Sequence, residues 1–347
     1  MRLFPEGVAL AKQRVPVVVV AGFLGSGKTT LLNHLLSNTR GCRIGVVVND
    51  FGSVNVDALS VAGQVDSMMS LENGCLCCAV DARGLDAMLG KLTGPGTDLD
   101  LVVIEASGLA EPRSLVRLVL AGENPGLEYG GLVELVDGAE FEHTRQRHPE
   151  LDEHLRMADL VVLNKTDRVA DETRLVELVR DIAGATPVLP AVHGRVDPEL
   201  LFEPRRQRDQ DGGPRQLSFD DLREHDDCHE HAHAVYDTLT FSAEALHPRR
   251  FARFLEGRPS GLYRMKGCVY FGVDGHEEKH VLHTVGGYVR FTTAPWAAAE
   301  KRRTELVLIG AGLDAQKLRS ELDACAEPDP GSVDAQSMLP VLRYAES

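Results

Sequence analysis

The stretch VVVVAGFLGSGKTTLLNHLL, residues 17–36, decides the fold. It opens with an apolar, mostly β-branched run that predicts a buried strand over 15–21. Residues 22–29, GFLGSGKT, fit the pattern G-x-x-x-x-G-K-[ST], and a helix is predicted over 28–37. Strand before and helix after is the context that gives this pattern chemical meaning. Gly22, Gly25 and Gly27 let the backbone wrap phosphate groups with its N–H donors, with Ser26 inside the loop and Thr30 just beyond it. Lys28 is placed to reach the β- and γ-phosphates. The Thr29 hydroxyl is placed on a Mg²⁺ ion that bridges them.

Working outward, the first 200 residues alternate apolar runs with helical patterns. Strands are predicted over 15–21, 43–48, 101–105, 131–136, 160–163 and 187–189. Helices are predicted over 28–37, 81–91, 112–121 and 171–184, with Asp81 as an N-cap and Gly184 as a stop. The strand runs are apolar at nearly every position, as expected of strands covered on both faces. The fold class is therefore α/β: a P-loop, mostly parallel sheet with helices on both faces. The stretch RRQRDQDGGPRQLSFDDLREHDDCHEHAH is polar, charged and broken by Gly-Gly-Pro, and reads as a linker. A smaller α+β unit follows, with strands over 236–241, 268–273, 280–284, 288–293 and 305–309, a helix starting at 248 and another over 314–325. The domain plan is an extension over 1–14, a nucleotide domain over 15–203, a linker over 204–234, a C-terminal domain over 235–328 and a loosely ordered tail over 329–347.

Three further segments point at a nucleotide. In LVVLNKTD, residues 160–167, Asn-Lys-x-Asp stands at the carboxyl end of a strand, the edge where ligands bind in open α/β sheets. The Asp167 carboxylate can accept from both N1–H and the 2-amino group of guanine; adenine has no such donor pair, so the motif selects GTP. Lys165 can lay its stem over the base, and Asn164 can tie this loop to the phosphate loop. In LVVIEASGLAEP, residues 101–112, a strand ends in Glu105, which can hold Mg²⁺ through a water or orient the attacking water. The Gly108 amide could sense the γ-phosphate, while Pro112 also suits a first helical position. In VVVNDFGSVNVD, residues 46–57, Asp50 is a candidate Mg²⁺ or switch carboxylate, with a plain loop residue as the alternative.

The stretch ENGCLCCAV, residues 72–80, packs three of the seven cysteines into four positions. Glu-Asn-Gly is turn chemistry, and adjacent Cys77 and Cys78 could not both point inward from a strand. Three thiolates on one turn suit a soft or borderline cation, Zn²⁺ first and Cu⁺ second. Cys75, Cys77 and Cys78 leave a fourth coordination position open, and the loop falls between the two segments expected to answer the γ-phosphate. A metal held there could be gripped in one nucleotide state and loosened in the other. His229, His231 and His233 alternate in DDCHEHAH and could bind a divalent metal weakly, a solvated polar linker being the alternative. His280 and His283 read as surface strand residues.

The bulk numbers exclude other classes. A chain of 347 residues is comfortable for two domains, and 43% hydrophobic with 26% charged residues is a globular balance. A net charge of −15 argues against a general binder of nucleic acid or anionic membranes, while allowing a locally basic phosphate pocket. The apolar run near the start leads directly into GSGKTT with no small-residue cleavage site, and no apolar stretch approaches a membrane span. The expected location is the cytoplasm. There Cys42, Cys75, Cys77, Cys78, Cys228, Cys268 and Cys325 are expected as thiols or metal ligands rather than disulfides.

The set GFLGSGKTT, ENGCLCC, EASGLAEP and NKTD, in this order and spacing, resembles the CobW-type metallochaperone GTPases, relatives of the urease and hydrogenase nickel-insertion GTPases. The resemblance covers about residues 15–203, and ENGCxCC between the phosphate loop and the strand glutamate is the family's hallmark. FARFLEGRPSGLYRMKGCVYF and RRTELVLIGAGLDAQKLRSELDAC resemble the family's C-terminal domain through softer motifs. The resemblance implies slow GTP hydrolysis coupled to delivery of a transition metal, usually zinc, to a client apo-metalloprotein, with Mg²⁺ as cofactor. By position, Cys75, Cys77 and Cys78 are then the metal ligands, Lys28 and Glu105 the catalytic pair, and Thr29, Asn164 and Asp167 further nucleotide residues. A nucleotide- or metal-dependent homodimer is a further expectation. Many members read NEFGE where this chain reads Asn49-Asp50-Phe51-Gly52-Ser53, so one acid is shorter and the other absent. Three functions stay open: a GTP-driven zinc chaperone, a dedicated activator of one metalloenzyme such as a nitrile hydratase or a cobalamin-pathway cobalt enzyme, and a regulatory GTPase with a structural zinc.

Overall fold

The run Val15–Gly22 forms β1, the middle strand of a parallel sheet, because valines at successive positions can be buried on both of its faces. The computed structural model describes residues 14–37, 42–48, 67–70, 81–94, 99–108, 110–201, 237–259, 261–297 and 300–345. After β1 come α1 (Lys28–Ser37), β2 (Ile44–Val48) and β3 (Ser67–Ser70). The chain continues through α2 (Ala82–Leu92), β4 (Leu101–Glu105), α3 (Pro112–Leu120) and β5 (Leu127–Asp137). Two short helices, α4 (Phe141–Arg147) and α5 (Leu151–Met157), lead to β6 (Leu160–Asn164), α6 (Glu172–Ala183), β7 (Val188–Pro190) and α7 (Pro198–Leu201).

Among the described residues these strands form one seven-stranded sheet in the order β3-β2-β4-β1-β5-β6-β7. Its adjacent strands pair in parallel throughout. Every residue of β2, β4 and β6 is buried. One face packs Val17, Val19, Ile104, Leu132, Val136 and Leu163 against Leu85, Leu115, Leu155 and Val179 of the covering helices. Helix ends follow their local chemistry. Asp81 caps α2 by accepting from the Gly84 amide at 2.8 Å, and Gly184 closes α6 with a φ of +67°. The parallel sheet with flanking helices is the predicted fold class. The edge strand β3 and the helices α4 and α5 are additions to the predicted elements.

The second unit contains β8 (Asp237–Ala243), α8 (Pro248–Glu256), β9 (Leu262–Val269), β10 (Lys279–Val285), β11 (Tyr288–Ala294), β12 (Thr304–Gly310), α9 (Ala315–Asp323) and α10 (Leu339–Leu342). Its sheet has the order β11-β10-β9-β12-β8, with β12 antiparallel to both β8 and β9. By spatial clustering the chain divides into residues 1–204 with 285–288, and 205–284 with 289–347.

Three expectations in this unit are corrected. The strand expected over 268–273 lies earlier, at Leu262–Val269, where Gly267 lets the backbone run close to Glu305: a Cβ there would sit 2.0 Å from the Glu305 carbonyl oxygen. His280 is not a surface residue. It shares the inward parity of Leu282 and Thr284 on β10, has no exposure, and packs edge-on against Phe271. Nor is the segment after 329 loose. Met338 and Val341 are fully buried in the same core as Phe251, Phe271 and Phe291, and the Phe291 amide donates to the Tyr344 carbonyl at 2.9 Å.

Candidate functional site

The carboxyl ends of β1, β4, β5 and β6 finish in Gly22, Glu105, Asp137 and Asn164, side by side along one edge of the sheet. The turn 23–27 leaves β1 at this edge and enters α1. Its glycines are demanded by conformation and by space. Gly22, Gly25 and Gly27 have φ values of +139°, +81° and +107°. A Cβ on Gly22 would lie 2.3 Å from the Leu135 carbonyl oxygen, and one on Gly27 would lie 2.3 Å from Asn164 Nδ2. The Ser26 amide closes the turn onto the Phe23 carbonyl at 3.1 Å. Ser26 is buried, and Thr30 is exposed on the first turn of α1.

Lys28 is buried, with Nζ donating to the carbonyls of Gly22 at 2.9 Å and Phe23 at 3.2 Å. The loop thus curls around the ammonium it is expected to point at phosphate. Next to it the Thr29 hydroxyl donates to Glu105 Oε1 at 3.2 Å, and Glu105 is 5% exposed. A hydroxyl and a carboxylate side by side make a hard oxygen donor pair of the kind Mg²⁺ takes. Gly108 packs against the loop from β4's side: a Cβ on it would fall 2.8 Å from the Leu24 amide nitrogen, so only glycine brings this backbone so near.

The second loop is joined to the first by one side chain. Asn164 Nδ2 donates to the Ser26 carbonyl, and Asn164 Oδ1 accepts from the Gly194 amide, both at 2.9 Å. Asn164 is 1% exposed. Lys165 takes a left-handed backbone conformation, φ +61°, and its ammonium pairs with Asp137 at 2.5 Å. That pair holds the Lys165 stem beside the sheet edge, where it can cover a base. Asp167 sits exposed on the short helical turn Thr166–Arg168, free to meet the edge of a base.

Sequence reasoning missed two members of this arrangement. Gly194, φ +62°, presses against the start of α1, where a Cβ would lie 2.8 Å from the Leu31 amide nitrogen. Asp137 orients Lys165. The glycine after His193 was the available signal for the first; the second is visible only once β5 and β6 pair Asp137 with Asn164. Asp50, Cys75, Cys77, Cys78, His229, His231 and His233 lie outside the described residues. Among the described residues no group of three or more His, Cys, Asp or Glu side chains could hold a metal. Cys268 and Cys325 are free thiols. Burial raises the pKa of both Cys268 and Cys325, the latter to about 11, so both are protonated near neutrality. No described helix is long and apolar enough to cross a membrane.

The model of the CobW/HypB/UreG nucleotide-binding domain matches residues 16–191, and that of the cobalamin synthesis protein cobW C-terminal domain matches residues 237–326. The zinc chaperone CobW of Sinorhizobium sp is 28% identical over 349 aligned residues, spanning 90% of this chain and 97% of the relative. The zinc chaperone YjiA of Escherichia coli K12 is 32% identical over 193 residues, 54% of this chain and 61% of the relative. The zinc-regulated GTPase metalloprotein activator 1 of Schizosaccharomyces pombe is 29% identical over 194 residues, 53% of this chain and 47% of the relative. The phosphate loop, the Asn164 tie and the strand-end acids all fall within the first matched region, and the chain belongs to the CobW/HypB/UreG family, with the family's nucleotide-binding domain followed by a CobW C-terminal domain.

Proposed function

We propose that this protein hydrolyses GTP and uses the nucleotide cycle to bind zinc at Cys75, Cys77 and Cys78 and release it to a client apo-metalloprotein. The observation that carries the proposal is the coupling of the phosphate loop to the base loop through Asn164, with Thr29 and Glu105 paired at the phosphate end. Asp167 selects guanine through two acceptors. Lys28 binds the terminal phosphates, and Glu105 orients the attacking water. Thr29 would hold Mg²⁺; when bound, the ion would neutralise charge on the transferring phosphoryl group.

The zinc half rests on position as well as composition. The strand β3 ends at Ser70, in register with Val48, which is itself in register with Glu105. The described part of β3 thus ends at the nucleotide edge, five residues before Cys75 in the sequence. Relatives along most of this chain are named zinc chaperones, which supports the same cargo here. The thiol triplet is suited to Zn²⁺ and leaves one position for a recipient's ligand.

The test is a competition titration of Zn²⁺ into fully reduced protein, once with a non-hydrolysable GTP analogue and once with GDP, both with Mg²⁺. An affinity difference of about tenfold or more, which is about 1.4 kcal/mol of coupling, is expected, together with its loss in Cys77→Ser. Equal affinity in both nucleotide states would sink the chaperone cycle and leave a structural zinc.

A further inference from the structure

A carboxyl lies inside the sheet just beneath the phosphate loop. Glu134 of β5 pairs in register with Ala21 of β1 and Val161 of β6, and it has no solvent exposure. Both of its carboxyl oxygens are buried without a hydrogen-bond partner, an expensive state for such a group. The titratable and charged groups facing it come from three other parts of the fold. His154 of α5 is 7% exposed and places Nδ1 3.9 Å from Glu134 Oε1 and Nε2 3.6 Å from Glu111 Oε2. Glu111, the N-cap of α3, is more than half exposed and opens the row to solvent. Lys28, at the start of α1, favours the ionised form of Glu134 by its charge. Phe23 joins the row to the loop: its ring lies over His154 with centroids 6.1 Å apart, and its carbonyl accepts from Lys28.

We propose that Glu134 is the buried proton acceptor of the phosphate site, and that nucleotide phosphates arriving at Lys28 draw a proton onto it along the Glu111–His154 row. The proposal rests on Lys28 being the phosphate-binding lysine. Phosphate charge beside Lys28 cancels the charge that favours the Glu134 carboxylate, so the neutral acid becomes the stable form. The proton comes from solvent at Glu111. His154 lies between Glu111 and Glu134 at 3.6 and 3.9 Å, contacts that must shorten for a proton to cross, and only N–H and O–H bonds change when it does. The family match gives this site its nucleotide, but the acceptor follows from Glu134 interrupting the buried run Leu132–Val136 of β5, whose other residues are apolar.

Burial raises the Glu134 carboxyl, Lys28 pulls it back and Glu111 adds a push upward, for a net position of about 8. Bound phosphates raise it further. Proton uptake is therefore small well below pH 8, largest between pH 8 and the raised midpoint, and nucleotide affinity falls as pH rises through that window. The fall is about tenfold for each unit by which the nucleotide raises the midpoint.

The experiment is a calorimetric titration of Mg–GDP into the full chain near pH 8, in phosphate and in Tris, whose different ionisation enthalpies count the protons exchanged. Wild type is expected to take up a fraction of a proton per nucleotide, and Glu134→Gln none. Equal counts in the two proteins overturn the proposal. An enthalpy independent of buffer in the wild type overturns it without any variant. Absence of binding heat at every pH is a different failure, because it removes the phosphate site itself.

Discussion

The Asn164 side chain donates to the Ser26 carbonyl at 2.9 Å across 138 residues of sequence. With the same amide accepting from Gly194, one buried residue fastens the phosphate loop, the base loop and the turn after β7. Replacing it by alanine strands a buried carbonyl and a buried amide, each costing about 1–3 kcal/mol. Asn164→Ala is expected to lower the thermal midpoint and to weaken nucleotide binding by more than about tenfold, since 1.4 kcal/mol is one decade. Asn164→Asp keeps the acceptor for Gly194 but turns a second acceptor oxygen, with a buried charge, toward the Ser26 carbonyl, so it should lose at least as much as the alanine variant. A nucleotide titration that leaves Asn164→Asp at wild-type affinity would contradict the role of the donor to Ser26.

Base choice is expected to rest on Asp167, exposed on its helical turn. Asp167→Asn trades one of two acceptors for a donor. GTP binding should weaken by roughly tenfold to a hundredfold, matching a charged hydrogen bond of about 1.5–3 kcal/mol. Xanthosine triphosphate carries a carbonyl where guanine has its 2-amino group, and it should regain part of the loss. If GTP and ATP compete equally well in the wild type, Asp167 does not read the base.

The C-terminal segment is expected to carry stability. Met338 is fully buried among aromatic and aliphatic side chains, so Met338→Ala should cost about 2–5 kcal/mol. Urea unfolding followed by the fluorescence of Trp296, within the same unit, would read it. A cost under about 1 kcal/mol would mean that the cavity collapses or that the segment contributes little.

His280 gives the second unit an acid sensitivity. Burial lowers its pKa below the ordinary 6.5, with Glu278 opposing. The unfolded chain then binds more protons than the folded one around and below pH 6.5, so stability falls as pH drops through that value. In His280→Phe this part of the slope should disappear, with the new ring lying against Phe271 and Phe291. The slope shrinks rather than vanishes, because burial also lowers His247. Urea midpoints at neutral and mildly acidic pH measure it, and an unchanged slope in the variant rules His280 out as its source.

How much of this was legible in the sequence depends on how local each signal is. The strand, turn and helix around Lys28 are contiguous, so residues 15–37 could be read directly. Asp81 and Gly184 could be read for the same reason, since capping involves a single turn of chain. The helices α4 and α5 have seven residues each, too few for a periodic apolar pattern to stand out. His280 was misjudged because a polar residue on a strand was assumed to face outward, while the parity of Leu282 shows the opposite. Met338 and Val341 are three residues apart, a helical spacing masked by the Pro, Gly, Asp and Ser around it. Glu134 was passed over inside an apolar run. Its neighbours His154 and Glu111 come from segments that only the folded sheet assembles.

Past a bulge at Gly130, the strand β5 meets both loops of the proposed nucleotide site: Leu135 beneath Gly22, Glu134 beside His154, and Asp137 on Lys165. It behaves as a stiff ruler between the two ends of a nucleotide. A ruler cannot let go of one end while keeping its grip on the other at an altered spacing. Nucleotide exchange on such a frame is expected to be a single event with one time constant, rather than a peeling of base from phosphate.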